Sequence, residues 1–222
     1  MRILITAGGT REYIDPVRFI TNASSGKMGY ALAHAALKAS HKVTLISTSD
    51  LQPPVGIDFV GVDSAAEMFD AVKKHFPKCD CLIMAAAVAD YTPVQPAKTK
   101  IRKSSKPLTI KLKPTPDILK WAGEHKNEGR RTRDEGRIVV GFALEDKNLR
   151  ANAERKMLEK NLDMIIANST NAVGADKSTV HIKTINSPWL KIENATKATI
   201  AGRIIVLIEK VFRGHPAHRW QG

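Results

Sequence analysis

Aromatic residues are scarce: only 5% of the 222 residues are Phe, Trp or Tyr. None interleave with the basic stretches as base-stacking platforms would require. Acidic residues are also few, 22 Asp and Glu against 35 Lys and Arg, for a formal net charge of +13. Such a balance fits nucleic acid, an acidic surface or polyanionic small molecules, and does not choose among them. Cysteine is nearly absent. Cys79 and Cys81 flank Asp80, and a lone C-x-C lacks the second ligand pair of a zinc site. As alternate positions of a buried strand they point the same way, into a reduced core. The seven histidines show no ligand spacing, and His34 reads as a packed helix residue. No apolar run reaches the ~20 residues that cross a bilayer. Met1-Arg2-Ile3-Leu4 passes straight into a strand without a cleavage site. The expectation is a cytoplasmic protein with no membrane partner, one domain over residues 1–222.

Strand and helix patterns alternate along the chain. Arg2–Thr6 is β-branched and apolar, and Gly8-Gly9 breaks it. A helix is predicted from about Gly26 to Ala39, with the preceding Ser and Asn residues as N-cap candidates. Strands follow at Lys42–Ser47, Ile57–Val62 and Cys79–Met84, and Ser64 with Glu67 forms a capping box for a helix to Lys74. Further on come a helix opening at Pro116-Asp117, a buried strand Arg137–Phe142, a helix Ala151–Asn161 and a strand Met164–Asn168. Thr179–Lys183 reads as an edge strand, and Thr196–Phe212 as an amphipathic closing helix. The pattern predicts a three-layer, Rossmann-like α/β fold with a mainly parallel sheet. From about 93 to 116 it is interrupted by a basic, flap-like excursion in which Leu108–Leu112 alternates as a hairpin strand would. Asn127 to Gly136 reads as a long solvated loop.

The common nucleotide motifs are missing. A Walker A loop would place Gly at 21 and Ser or Thr at 28, where Thr21 and Met28 stand; G-x-G-x-x-G is also absent after the first strand. What is present is Thr21-Asn22-Ala23-Ser24-Ser25-Gly26-Lys27-Met28-Gly29, small, polar and flexible, opening into a helix. Glycines there allow a ligand close to backbone N–H groups, and a helix N-terminus favours an anion. Gly8-Gly9, Ser24–Gly29 and Ala86–Asp90 all fall at the carboxyl edge of the predicted sheet, where ligands of such folds sit.

Seven strings carry a family resemblance in order: Ile5–Thr10, Asp15–Gly29, Ala85–Tyr91, Lys100–Lys103, Pro116–Leu119, Val140–Ala143 and Lys156–Asn168. Together they resemble the phosphopantothenate–cysteine ligases of coenzyme A biosynthesis, in the stand-alone bacterial form that uses CTP. The resemblance implies that 4′-phosphopantothenate attacks CTP, with Mg²⁺, to give an acyl-cytidylate and pyrophosphate. L-cysteine then displaces CMP. It implies catalytic roles for Asn22 and Lys100. Gly8, Ser24, Gly26 and Gly29 would form the triphosphate cradle, Asn22 and Ala86 would handle the intermediate, and Asp90 would bind ribose or base. Lys100 would approach the phosphates, while Pro116, Asp117, Ile118, Leu119, Phe142, Lys156 and Lys160 would surround the base. The resemblance names no metal ligands. It further implies a homodimer, no flavin, and a separate decarboxylase acting next. Thr115 stands where the family has asparagine, and Leu144-Glu145-Asp146 departs from the family's Ala-Glu-Thr. A basic nucleic-acid binder and an NAD(P)-dependent oxidoreductase on the same fold remain the competing readings, though no groove-reading helix and no dinucleotide loop supports them.

Overall fold

A computed structural model describes residues 1–129, 136–170, 174–185 and 187–214. The predicted charged loop between Asn127 and Gly136 lies largely outside these residues.

One mixed sheet of eight strands organises the chain. Third from one edge is β1 (Arg2–Ala7), whose burial is nearly continuous because both faces are covered. On one side of β1 lie β4 (Lys42–Ser47) and β5 (Asp58–Gly61); on the other lie β6 (Cys81–Met84), β9 (Ile138–Glu145) and β10 (Met164–Ser169), all parallel to it. The chain therefore reverses direction across the sheet between β1 and β6, and that junction is a topological switch point. β11 (Lys177–Thr184) and β12 (Leu190–Thr196) add antiparallel beyond β10. The predicted edge strand at Thr179–Lys183 is thus interior, with β12 outside it. β12 was invisible as a pattern because its positions are exposed or half-exposed, without apolar alternation.

α1 (Lys27–Lys38) and α5 (Lys197–Gly214) cover one face, packing Leu32, Ala33, Ile200 and Ile204 on Ile3, Ile5 and Val140. α2 (Ala65–His75), α3 (Ile118–Glu124) and α4 (Leu149–Glu159) cover the other, packing Met68, Val72, Leu119 and Met157 on Leu4, Leu82 and Ile165. Ser64 caps α2 by accepting the Glu67 N–H at 3.2 Å, while the Glu67 carboxylate reaches back to the N–H of Asp63 rather than of Ser64.

Several local expectations are corrected. Cys79 and Cys81 do not share a face. β6 begins only at Cys81, a 3-10 turn (Phe76–Lys78) precedes it, and Cys79 packs on the α2–α4 side while Cys81 packs on the α1–α5 side. Both are buried, and the Cys79 Sγ donates to the Phe76 carbonyl at 3.2 Å. His34 lies on the exposed face of α1 instead of packing. Pro116 stands outside α3, whose N-cap is Asp117. Two short strands absent from the periodicity reading, β2 (Arg11–Tyr13) and β3 (Phe19–Thr21), pair as a hairpin. The excursion does contain a hairpin, β7 (Tyr91–Pro93) with β8 (Leu112–Pro114), but its second strand starts at Leu112. Leu108 is exposed, so alternation upstream of Leu112 had no surface to pack on.

Candidate active site

Beyond the carboxyl ends of β1 and β6 a cavity of about 660 Å³ opens. One wall is the loop Asn22–Met28; another is Met84–Val88 with Asp90; a third is Thr115–Leu119; Phe142, Leu144, Lys156, Lys160, Asn168, Gly174, Ser178, Val180 and Lys197 close the rest.

The walls are positioned by β1. Thr6 Oγ1 accepts the Ala86 N–H at 3.2 Å, Thr10 Oγ1 accepts the Ala89 N–H at 2.9 Å, and the Gly8 carbonyl accepts the Ala87 N–H at 2.8 Å. Asn22 Nδ2 donates to the carbonyls of Ala87 at 3.3 Å and Val88 at 3.1 Å, tying the Asn22–Met28 loop to the opposite wall. Asn22 is therefore not a helix cap. α1 starts at Lys27 behind Gly26, which sits at φ 78°, and no side chain caps its first turn. Its free N–H groups, with Gly26, Lys27 and Met28 on the cavity wall, make a positive helix end. The left-handed conformation at Gly26 explains the glycine there: a Cβ would meet Ser49 Cβ at 2.8 Å.

The opposite wall is cationic. Lys156 Nζ donates to the Phe142 carbonyl at 2.8 Å. Its burial, then the neighbouring charge of Lys160, lowers its pKa below the ordinary lysine value. Lys160 Nζ lies 2.8 Å from Asp117 Oδ2, and Asp117 Oδ1 accepts the Lys120 N–H at 3.0 Å as the cap of α3. Burial works to raise the Asp117 pKa, but Lys160 and the Lys120 N–H outweigh it and the carboxyl is held low. Four lysines, Lys27, Lys156, Lys160 and Lys197, and two aspartates, Asp90 and Asp117, thus line the cavity. Asp90 carries no ion pair among the described residues, and its backbone carbonyl accepts the Thr115 N–H at 2.9 Å.

Of the residues singled out in the sequence, Asn22, Ser24, Gly26, Ala86, Asp90, Pro116, Asp117, Ile118, Leu119, Phe142, Lys156 and Lys160 converge on this cavity. Gly8 and Gly29 do not line it. They stand behind the wall, where a Cβ on Gly8 would meet Thr48 Oγ1 at 2.2 Å and one on Gly29 would meet Ala7 Cβ at 2.5 Å. Lys100 is exposed and also lies outside the lining. Sequence reasoning missed Leu144, Asn168 and Lys197. Asn168 and Leu144 could have been found from the carboxyl-edge rule; Lys197 opens α5 and gave no signal.

These features define a class: a Rossmann-like α/β domain whose switch-point cavity is built to receive an anionic ligand. The chain belongs to the family described as "DNA/pantothenate metabolism flavoprotein C-terminal domain", which matches residues 1–212. It is 47% identical over 175 residues to the coenzyme A biosynthesis bifunctional protein CoaBC of Bacillus subtilis, covering 78% of this chain and 41% of that one. The crystal structure of a CoaBC C-terminal domain matches with a TM-score of 0.80 and 37% identity, over 96% of each chain. A Cab2 mutant in complex with phosphopantothenate-cysteine has the same fold at a TM-score of 0.75 and 17% identity, over 96% of this chain and 88% of that one. The chain spans about half the length of the curated relatives it matches.

Proposed function

We propose that this chain is a ligase domain that joins 4′-phosphopantothenate to L-cysteine through an acyl-cytidylate, releasing pyrophosphate and then CMP. The observation that carries the reading is the uncapped end of α1 facing a lysine-rich wall across a cavity at the switch point. Attack of a carboxylate on a triphosphate brings anions together, and fixed N–H dipoles and cations offset that charge. Ser24, Gly26 and Lys27 would cradle the phosphates. Gly8 and Gly29 would let the cradle sit close to β1. Phe142, Lys156 and the 116–119 segment would hold the base, with Lys160 kept in place by Asp117. Asn22, anchored on the wall at Ala87 and Val88, would hold the acyl intermediate beside Ala86 while the cysteine amine attacks.

Magnesium chemistry fits a metal delivered on the nucleotide. Among the described residues no cluster of three or more His, Cys, Asp or Glu side chains could hold a resident ion. Mg²⁺ commonly takes phosphate oxygens, waters and one or two carboxylates, and Asp90 is the cavity carboxylate available to it. The ion would neutralise developing phosphate charge.

Lys100 would reach toward the phosphates with its long side chain from the excursion. The working form would be a cytoplasmic homodimer, with a decarboxylase taking the product. Incubation with phosphopantothenate, cysteine, CTP and Mg²⁺ should yield CMP and pyrophosphate in equal amounts, and CTP should give a higher kcat/KM than ATP. Absence of both products with either nucleotide rejects the ligase; a higher kcat/KM with ATP rejects the base assignment. Thermal stabilisation by NAD(P) alone would favour the oxidoreductase reading.

A further inference from the structure

The turn between β2 and β3 meets the basic excursion at one buried carboxylate. The Asp15 side chain is fully buried, yet it makes two separate kinds of contact. Its Oδ1 accepts the N–H groups of Val17 at 2.9 Å and Arg18 at 2.8 Å, which closes the local turn. Its Oδ2 accepts the N–H of Ile101 at 3.1 Å, from a segment more than eighty residues later, and the Arg18 Nε at 3.0 Å. Arg18 Nη2 reaches the same oxygen and also donates to the Ile101 carbonyl at 2.5 Å. The Ile101 residue is thus gripped at both its N–H and its C=O. Four residues earlier the Ala97 N–H donates to the Ile14 carbonyl at 2.9 Å. Lys98, Thr99 and Lys100 lie between these two anchor points.

The stretch so anchored has strong reason to drift. Lys98, Lys100, Arg102, Lys103 and Lys106 are all exposed, and none forms an ion pair among the described residues. A run of like charges repels itself and extends. Beyond Asp15, the same turn continues through β3 into Asn22 and the cavity wall. One carboxylate therefore joins the turn that leads into the cavity wall to the basic excursion.

We propose that Asp15 is a positioning residue: through Oδ2 and the Arg18 it holds, it clamps the Ile101 peptide and sets where Lys100 is presented. The clamp itself stands on the contacts above; its consequence for catalysis rests on the ligase reading.

The two oxygens make the clamp separable from the turn. Asp15→Asn keeps an acceptor for Val17 and Arg18 but places an N–H donor against the Ile101 N–H and the Arg18 guanidinium. Ile101→Pro removes the long-range donor from the other side and leaves the turn intact. Both full-length variants would be digested with limiting trypsin without nucleotide, and cuts after Lys98, Arg102 and Lys103 read by mass spectrometry. Both should be cut there about 10-fold faster than wild type, with sites elsewhere unchanged, because proteolysis reports local opening. Unchanged rates in both variants overturn the clamp. Asp15→Asn should also lose about 10- to 100-fold in kcat/KM for pyrophosphate release, the scale of a misplaced contact, and lose nothing more when combined with Lys100→Gln. Losses that multiply would show that Asp15 acts independently of Lys100 and overturn the positioning role. A wild-type chain without ligase activity would reject the proposed reaction, while the trypsin result would still decide the clamp.

Discussion

Replacing Gly123 by alanine sets two physical effects against each other with opposite signs. Gly123 lies inside α3, and alanine is favoured over glycine in a helix by about 1 kcal/mol. Helix propensity alone therefore predicts a more stable protein. The packing predicts the reverse. A Cβ on Gly123 would stand 1.9 Å from the carbonyl oxygen of Lys160, about 1.5 Å short of an ordinary contact at 3.4 Å. The obstructing atom is backbone and cannot rotate away. It belongs to the C-cap of α4, and that corner is meshed further by Asn161 Nδ2 donating to the Gly123 carbonyl at 2.9 Å. Relief requires α3 to move off α4. Overpacking of this kind costs about 1–3 kcal/mol, and a rigid carbonyl puts it at the upper end. The net loss is about 2 kcal/mol, a Tm drop of roughly 4–8 °C for a chain of this size. Thermal unfolding followed by circular dichroism measures it. A Tm equal to or above that of wild type would refute the reasoning, since propensity would have won and the two helix ends would not be in contact. The same shift should loosen Lys160 from Asp117; on the proposed ligase reading, any stabilisation by added CTP should fall as well.

Asn22→Asp places a carboxylate against the carbonyls of Ala87 and Val88; it should form the acyl-cytidylate and turn it over slowly, which mass spectrometry of a reaction with CTP and phosphopantothenate will detect, and a fully active variant would contradict this. Lys126→Met leaves Asp163 charged and nearly buried without the partner now at 2.8 Å, so it should destabilise by about 3–5 kcal/mol in urea unfolding; a loss below about 1 kcal/mol would show the pair to be dispensable. Lys156 has its pKa lowered by burial, so the unfolded chain holds the extra proton and stability attributable to this residue rises with pH between its lowered folded value and the unfolded value of about 10.4. Wild type should accordingly gain on Lys156→Met as pH is raised through that window, and a pH-independent gap between the two would be inconsistent with a buried Lys156.

Features that repeat at short range or sit in a contiguous string could be read from the chain alone. The central strands read correctly because both their faces are buried and apolar, and α2 because Ser64 and Glu67 advertise its start. The cavity walls at Asn22–Met28, Ala85–Asp90 and Pro116–Leu119 were legible because each is a short string at a strand or helix end. Tertiary structure decided everything that depends on a distant partner. β2, β3 and β12 exist through pairing, and their own positions carry too little apolar alternation to announce them. Asn22 could not be known as a cross-strap rather than a cap until β6 brought Ala87 and Val88 beside it. Gly29 and Gly123 look alike as helix glycines, yet only the packing shows that a strand and a carbonyl occupy the space where their side chains would go. Asp15 stands in the sequence only as the first residue of the Asp15–Gly29 string; its second oxygen meets Ile101 only in the fold, because a hydrogen bond across 86 positions leaves no periodicity behind.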